Sequence, residues 1–261
     1  MRYLRLYLHF LRFSFSRAMQ FRLDFFFRIF MDLVWNLVNL GFFWVLYQHT
    51  PLLGGWTFDQ MLVFLGGVFV YDAINMTVFA SNMWWLPFAI NKGDLDYHLV
   101  RPVPPLFMLS LREFAANSFV NLLVAAAILT WCLTRYPHRL SPASIGLFLA
   151  LLMVGVLLHY SLNMIFLIPT FWMHAAGGLR EIFFAMEQYA TRPYGIFRGW
   201  LARLLTTVLP FALVVSFPTR ALFEGLSLGL LLHMLGVTAA AFLAMVAFWK
   251  AGLRAYTSAS S

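Results

Sequence analysis

The sequence predicts an all-α membrane protein with about six transmembrane helices, built as a single domain over residues 1–261. Three observations lead there. The chain is 62% hydrophobic and 11% charged, with a mean hydropathy of +0.79. Its apolar residues fall in runs long enough to cross a bilayer, about 20 residues each. Its cations are unevenly distributed between the runs. A soluble domain of this size has too little interior to hide 29 Phe and 9 Trp.

The first element, residues 1–23, alternates Arg2, Arg5, Arg12, Arg17 and Arg22 with Tyr3, Tyr7, Phe10, Phe13 and Phe15. That pattern predicts an amphipathic helix in the interface, arginines toward headgroups and rings toward acyl chains. It does not resemble a cleavable signal, because no uninterrupted apolar core leads to a small-residue cleavage site.

The first span is expected from about Phe25 to Tyr47, then a turn at Thr50-Pro51 and Gly54-Gly55. The second runs from about Gln60 to Leu86 and the third from about Phe114 to Leu133. Ser141 reads as an N-cap and Pro142 as a first-turn proline, so the fourth runs from there to about Phe171. A fifth apolar run, Leu204 to Phe217, is short for a full span unless it begins near Ile196. The sixth covers about Leu226 to Trp249. Gly177 to Arg203 carries Arg180, Glu181, Glu187, Arg192, Arg198 and Arg203, which places it at the cytoplasmic interface rather than across the bilayer. Pro218 favours a break, and Arg220 and Glu224 are spaced to pair on one turn, so a short helix re-entering from the outer face is expected before the last span.

With both termini inside, only Arg135, Arg139 and Arg220 of the 18 Lys and Arg residues fall outside. That asymmetry supports cytoplasmic termini, a multi-pass chain in a plasma membrane, and an even span count, with four the alternative to six. It also explains the net charge of +8 without invoking nucleic acid.

No phosphate-binding Gly-x-x-x-x-Gly-Lys-Ser/Thr loop is present, nor His-Glu-x-x-His. The single cysteine, Cys132, excludes an intrachain disulfide and a cysteine zinc cluster. The seven histidines are scattered, and packing accounts for them better than metal binding. No catalytic residue, cofactor or metal site is assigned. Polar residues inside the spans carry more weight, since charge at that depth usually faces protein or water. Asp32, Asn36 and Asn39 share a face of the first span at i, i+4, i+7 spacing, and Asp72 lies near the middle of the second with Asn75 beyond it. These five are candidates for a translocation path, the alternative for the asparagines being interhelical hydrogen bonding. Gly225 and Gly229 form a Gly-x-x-x-Gly, a weak signal for close helix approach.

The densest polar stretch is Asn91–Leu106, which we take as a loop between spans two and three. Its Lys92-Gly93-Asp94-Leu95-Asp96 and Leu99-Val100-Arg101-Pro102 fit a Gly-x-x-Asp-x-x-Leu-x-Arg-Pro pattern at Gly93, Asp96, Leu99, Arg101 and Pro102. With Leu209-Pro210, Pro218-x-x-x-Leu222-x-x-Gly225 and the ending from Trp249 to Ser260, the chain resembles the permease subunits of bacterial ABC-2 type exporters that lack an ATPase domain. The resemblance implies that residues 91–106 hold a cytoplasmic coupling helix, with Lys92, Gly93, Asp94, Asp96, Leu99, Arg101 and Pro102 meeting an ATPase. It implies a second permease, identical or related, two cytoplasmic ATPase subunits carrying ATP and Mg, and a bacterial inner-membrane location. Two other classes stay open: a stand-alone secondary transporter or channel using Asp72, and an intramembrane enzyme, for which Asp72 and His159 supply too few groups. Apolar walls with few charges suit an amphipathic or lipid-like cargo and suit ordinary packing equally.

Overall fold

The computed structural model describes residues 2–18, 20, 22–173, 177–225 and 227–256. It is helical throughout, with no strand among the described residues. Helix α1 (Arg2–Ala18) precedes α2 (Arg22–His49). A tight turn follows, in which Leu53 and Trp56 exchange backbone hydrogen bonds of 3.1 Å. Gly54 and Gly55 occupy its two positive-φ positions, the Gly-Gly solution for a two-residue turn.

The second passage is α3 (Phe58–Asn75), one wide π turn (Met76–Ala80) and α4 (Ser81–Lys92). Thr57 caps it: Gln60 donates its backbone N–H to the threonine hydroxyl, and Thr57 donates its own to the Gln60 side chain. Short helices α5 (Asp96–Leu99) and α6 (Pro105–Leu111) lead to α7 (Ala116–Arg135). Then comes α8 (Pro142–Leu167), capped by Ser141 with Pro142 in its first turn, as the sequence predicts. Its continuation α9 (Thr170–Met173) ends at the face that also holds the end of α13 (Leu228–Ala255).

Five segments are long and apolar enough to cross a membrane: 22–49, 58–92, 116–135, 142–173 and 228–255. The chain is a multi-pass membrane protein. Segments α3 and α8 are mostly buried and form the centre, while α2 and α13 expose most of their apolar side chains as lipid-facing surface would. The main core joins Phe64, Tyr71, Phe148, Leu152 and Phe211.

The last third corrects two expectations. Leu204–Phe217 is not a straight helix. It breaks into α11 (Gly199–Arg203), a π turn (Leu204–Val208), a 3-10 turn (Phe211–Leu213) and the start of α12 (Ser216–Glu224). This segment stays at the face opposite the termini, where Phe223 packs on Tyr136 and Ser216 accepts from the Tyr194 N–H at 3.1 Å. The passage between the faces is instead made by Gly177–Ile196, which the charge count had put at the interface. It begins next to the end of α9 as α10 (Gly177–Glu187), tightens into a 3-10 turn at Gln188–Thr191, and reaches the far side with Gly195 against the backbone of Gly54. Arg192, Arg198 and Arg203 therefore leave the terminal face. The cation bias still favours that face, less steeply than the sequence count gives.

The re-entrant helix keeps its expected Arg220–Glu224 pair at 2.6 Å. Gly225 is not helical: at φ 85° it ends α12. Gly229 has open space at its Cβ position, so the Gly-x-x-x-Gly makes no close approach within this chain. The close approach is elsewhere. A Cβ at Gly155 would collide with the Val214 carbonyl, so α8 and the re-entrant segment are in backbone contact there. Replacing Gly155 by Ala is expected to force them apart and lower stability by about 1–3 kcal/mol, the usual range for overpacking. Gly146→Ala, at a position with open space, is expected to leave the unfolding midpoint of the detergent-purified protein unchanged.

Candidate functional site

A cleft of about 810 Å³ opens between α2, α3 with its π turn, the start of α7, and the α10 passage. On α2 the 3.6-residue period brings Asp32, Trp35 and Asn39 to its wall. Helix α3 contributes Phe69, Tyr71, Asp72 and Met76, and the passage contributes Phe184, Glu187 and Arg192. Of the five predicted path residues, Asp32, Asn39 and Asp72 line the cleft. Asn36 does not: it is buried against α7 and donates to the Asn121 side-chain oxygen Oδ1 at 3.3 Å. The predicted shared face of α2 is therefore divided, Asn36 serving as interhelical glue. Asn75 is buried off the cleft wall, and its side-chain oxygen has no hydrogen-bond partner. Asn39 donates to the Trp35 carbonyl one turn back at 2.9 Å, which leaves its own oxygen free to face the cleft.

Glu187 is the residue that sequence reasoning misplaced. Its Oε1 accepts from His159 Nε2 at 2.7 Å and from the Tyr71 hydroxyl at 3.2 Å. The Tyr71 and His159 rings meet edge to face at 5.0 Å, and Phe183 closes over His159 at 5.3 Å. Both His159 and Tyr71 are about 1% exposed. The polar cluster sits where α10 gives way to its 3-10 turn, so one carboxylate ties the irregular passage to both central spans. Arg192, the next charge along, lies over the rings of Phe42 and Phe43 at 5.3 and 5.6 Å. Pairing of this kind lets a charged segment run through the bundle.

From the cleft wall a chain of hydrogen bonds runs to the terminal face. A π turn leaves backbone carbonyls without their helical donors. Here Thr77 O accepts from the Ala115 N–H at 2.9 Å and Val78 O from Asn82 Nδ2 at 3.0 Å. Asn82 also clasps Glu113, accepting its N–H and donating to its carbonyl, both at 2.8 Å. The wide turn thus fastens the second passage to the start of the third.

The loop between them is built on a buried anchor. Gly93, at φ 80°, turns the chain at the end of α4, a conformation that costs an L-residue. Leu95 is fully buried, with Leu86, Ile90, Leu109 and Trp249 in its cluster. Around it Lys92, Asp94, Tyr97, Val100, Arg101 and Pro102 are exposed, and Arg101 lies over the Tyr97 ring at 5.3 Å. The Leu99 side chain is partly exposed and Asp96 partly covered. Tyr256, just past the end of α13, turns its phenol toward Asp96. Burial first, then the Asp96 and Asp94 carboxylates, push it up to about 12. Buried His98 lies edge-on to Trp85 at 5.4 Å, and its Nε2 accepts from Arg112 Nη1 at 3.2 Å, since a guanidinium can only donate. Arg112 in turn stacks over Trp85 at 4.6 Å.

A family model of ABC-2 family transporter proteins matches residues 33–260. The chain belongs to the ABC-2 transporter family. No curated protein and no solved structure matches it. The permease assignment agrees with the all-helical multi-pass fold and with the resemblance seen in its motifs. The family match does not carry roles to individual residues. Among the described residues no group of His, Cys, Asp and Glu has metal-binding geometry.

Two tests bear on this architecture. Glu187→Leu leaves the Tyr71 hydroxyl and the His159 N–H buried without an acceptor, so the permease is expected to lose stability at about 1–3 kcal/mol per orphaned group, read as a lowered unfolding midpoint. Glu187→Gln retains an acceptor oxygen and is expected to lose less. The second test is a pH dependence. Burial, and then the Arg112 and Arg101 guanidiniums, hold His98 below its ordinary 6.5, with Asp94 acting the other way. The unfolded chain then binds the extra proton, so this contribution is complete above pH 6.5 and is lost as pH falls toward the folded-state value. Wild-type stability is expected to drop between pH 7.5 and 5.5 by more than that of His98→Gln.

Proposed function

We propose that this chain is the permease subunit of an ATP-driven ABC-2 type exporter in a bacterial inner membrane, with both termini cytoplasmic. It forms its path with a second permease, identical or related, and is powered by two separate cytoplasmic ATPase subunits that carry ATP and Mg. The chain itself is not an enzyme and needs no cofactor. The observation that carries this reading is the mechanical continuity from loop to cleft. An exposed polar tip, Asp94, Tyr97 and Arg101, stands on a buried anchor, Leu95. From that anchor α4 leads to Asn82 and the π turn, whose Met76 and Ala80 form part of the cleft wall. A push on the tip has a continuous helical and hydrogen-bonded route to the wall through α4 and Asn82. Pro102, Pro104 and Pro105 stiffen the exit from the loop. The sequence's lack of a phosphate-binding loop fits an external source of ATP-driven force. Lipid surrounds the exposed faces of α2 and α13, and nucleic acid has no place in this reading.

The open position of Asp72 on the cleft wall keeps a second reading, a secondary transporter that works without ATP. Co-expression with a soluble ABC ATPase, sought first in the neighbouring reading frames, separates the two. The complex is expected to co-purify and to transport only with ATP. Asp96→Asn with Arg101→Ala is expected to cut transport about tenfold or more while the ATPase still turns over, a loss of the order of one or two charged contacts. Intact coupled transport in that double variant would sink the loop assignment. Transport by the chain alone in liposomes without ATP would favour the second reading.

A further inference from the structure

The cleft holds two carboxylates that, among the described residues, no side chain grips by a hydrogen bond or ion pair. Its other charges are accounted for: Asp24 accepts from Arg28 at 2.8 Å, Glu187 is held by His159 and Tyr71, and Arg192 rests on Phe42 and Phe43. Asp32 and Asp72 form no hydrogen bond or ion pair among the described residues, and they lie close enough to repel each other. One turn beyond Asp72, the buried Asn75 oxygen also lacks a donor. Two carboxylates in a low-dielectric wall destabilise each other unless a cation lies between them. The rest of the wall is aromatic, with Trp35, Phe69 and Phe184 beside them. Such rings attract a cation through their faces and cover an apolar body. A bare divalent ion needs six or more oxygens at close range, which this wall does not offer. The volume falls within the range of small-molecule sites.

We infer that this cleft binds an organic cation with an apolar body, its charge between Asp32 and Asp72 and its body against Trp35, Phe69 and Phe184. Given the exporter reading, on which this rests, that is the substrate class. Arg28 is hydrogen-bonded to Asp24 and attracts Asp32 only through space, which leaves the Asp32 oxygens open to a ligand.

The test uses the full chain in phosphatidylglycerol nanodiscs and tetraphenylphosphonium as the probe, measured by equilibrium dialysis. Saturable binding is expected. Asp72→Asn is expected to weaken it about tenfold and Asp32→Asn severalfold, the scale of one intramembrane ion contact. Asp59→Asn, in the exposed far turn, is expected to change nothing. Trp35→Ala is expected to weaken binding too and keeps the test decisive if an aspartate variant does not fold. Tetraphenylborate, the same shape with opposite charge, is expected not to bind saturably. Wild-type affinity in the Asp32→Asn, Asp72→Asn double variant, or equal binding of the borate, overturns the proposal. Displacement by phosphatidylcholine nanodiscs would identify a lipid headgroup as the cation, and no displacement a free solute. ATPase co-purification is measured separately, so failure here leaves the exporter reading intact.

Discussion

One carboxylate makes the irregular passage possible. The segment from Gly177 to Ile196 carries Arg180, Glu181, Glu187 and Arg192, and an unpaired charge inside a membrane protein costs several kcal/mol. Glu187 meets two donors from two different central helices, Tyr71 on α3 and His159 on α8. Its oxygen fixes the point at which α10 stops being an α-helix. Beyond it the chain can turn, lay Arg192 on aromatic rings and reach Gly54 at the far face. Without that anchor the four charged residues would belong at an interface, and one wall of the cleft would be missing.

The same logic governs the second passage. A helix that keeps every i to i−4 bond has nothing left to offer a neighbour. The π turn at Met76–Ala80 releases carbonyls at the depth where the third passage begins, and the Ala115 N–H and Asn82 take them up. Cleft wall, loop and third passage then share one hydrogen-bonded joint. Leu95 extends it into the apolar cluster around Trp249, and the Tyr256 phenol, facing Asp96, brings the end of the chain to the same place. The loop tip is therefore joined to the cleft wall through packed and hydrogen-bonded contacts.

How much of this was legible follows from the kind of signal each feature leaves. Five long apolar segments and the cap at Ser141 announce themselves by length, period and capping chemistry. The Asn91–Leu106 loop stands out because charge is dense there and scarce elsewhere. The passage at Gly177–Ile196 was hidden because its charges are compensated by residues distant in sequence, His159 at 28 positions and Tyr71 at 116, and no local pattern reports that. The weak clue was His159 inside the most apolar helix of the chain, which called for an acidic partner. Likewise Asn36 and Asp32 share a face by spacing alone, and the packing of α7 is what assigns them to opposite tasks. A π turn leaves no sequence mark here, since Met76–Ala80 reads as ordinary helix.

Compensation also explains which polar groups are free to act. Glu187 and Asn36 are consumed in holding helices together, so their removal is a stability problem before it is a functional one. Asp32 and Asp72 make no hydrogen bond or ion pair among the described residues, and Asp72 lies in the repulsive field of Glu187 first and of Asp32 second. A membrane protein has no structural reason to maintain that arrangement, since an asparagine at either place would pack as well and cost less. The repulsion is relieved when something positive enters the cleft. Asp72 is next in sequence to Tyr71, which donates to Glu187, so the proposed cation site and the anchor of the irregular passage share one turn of α3.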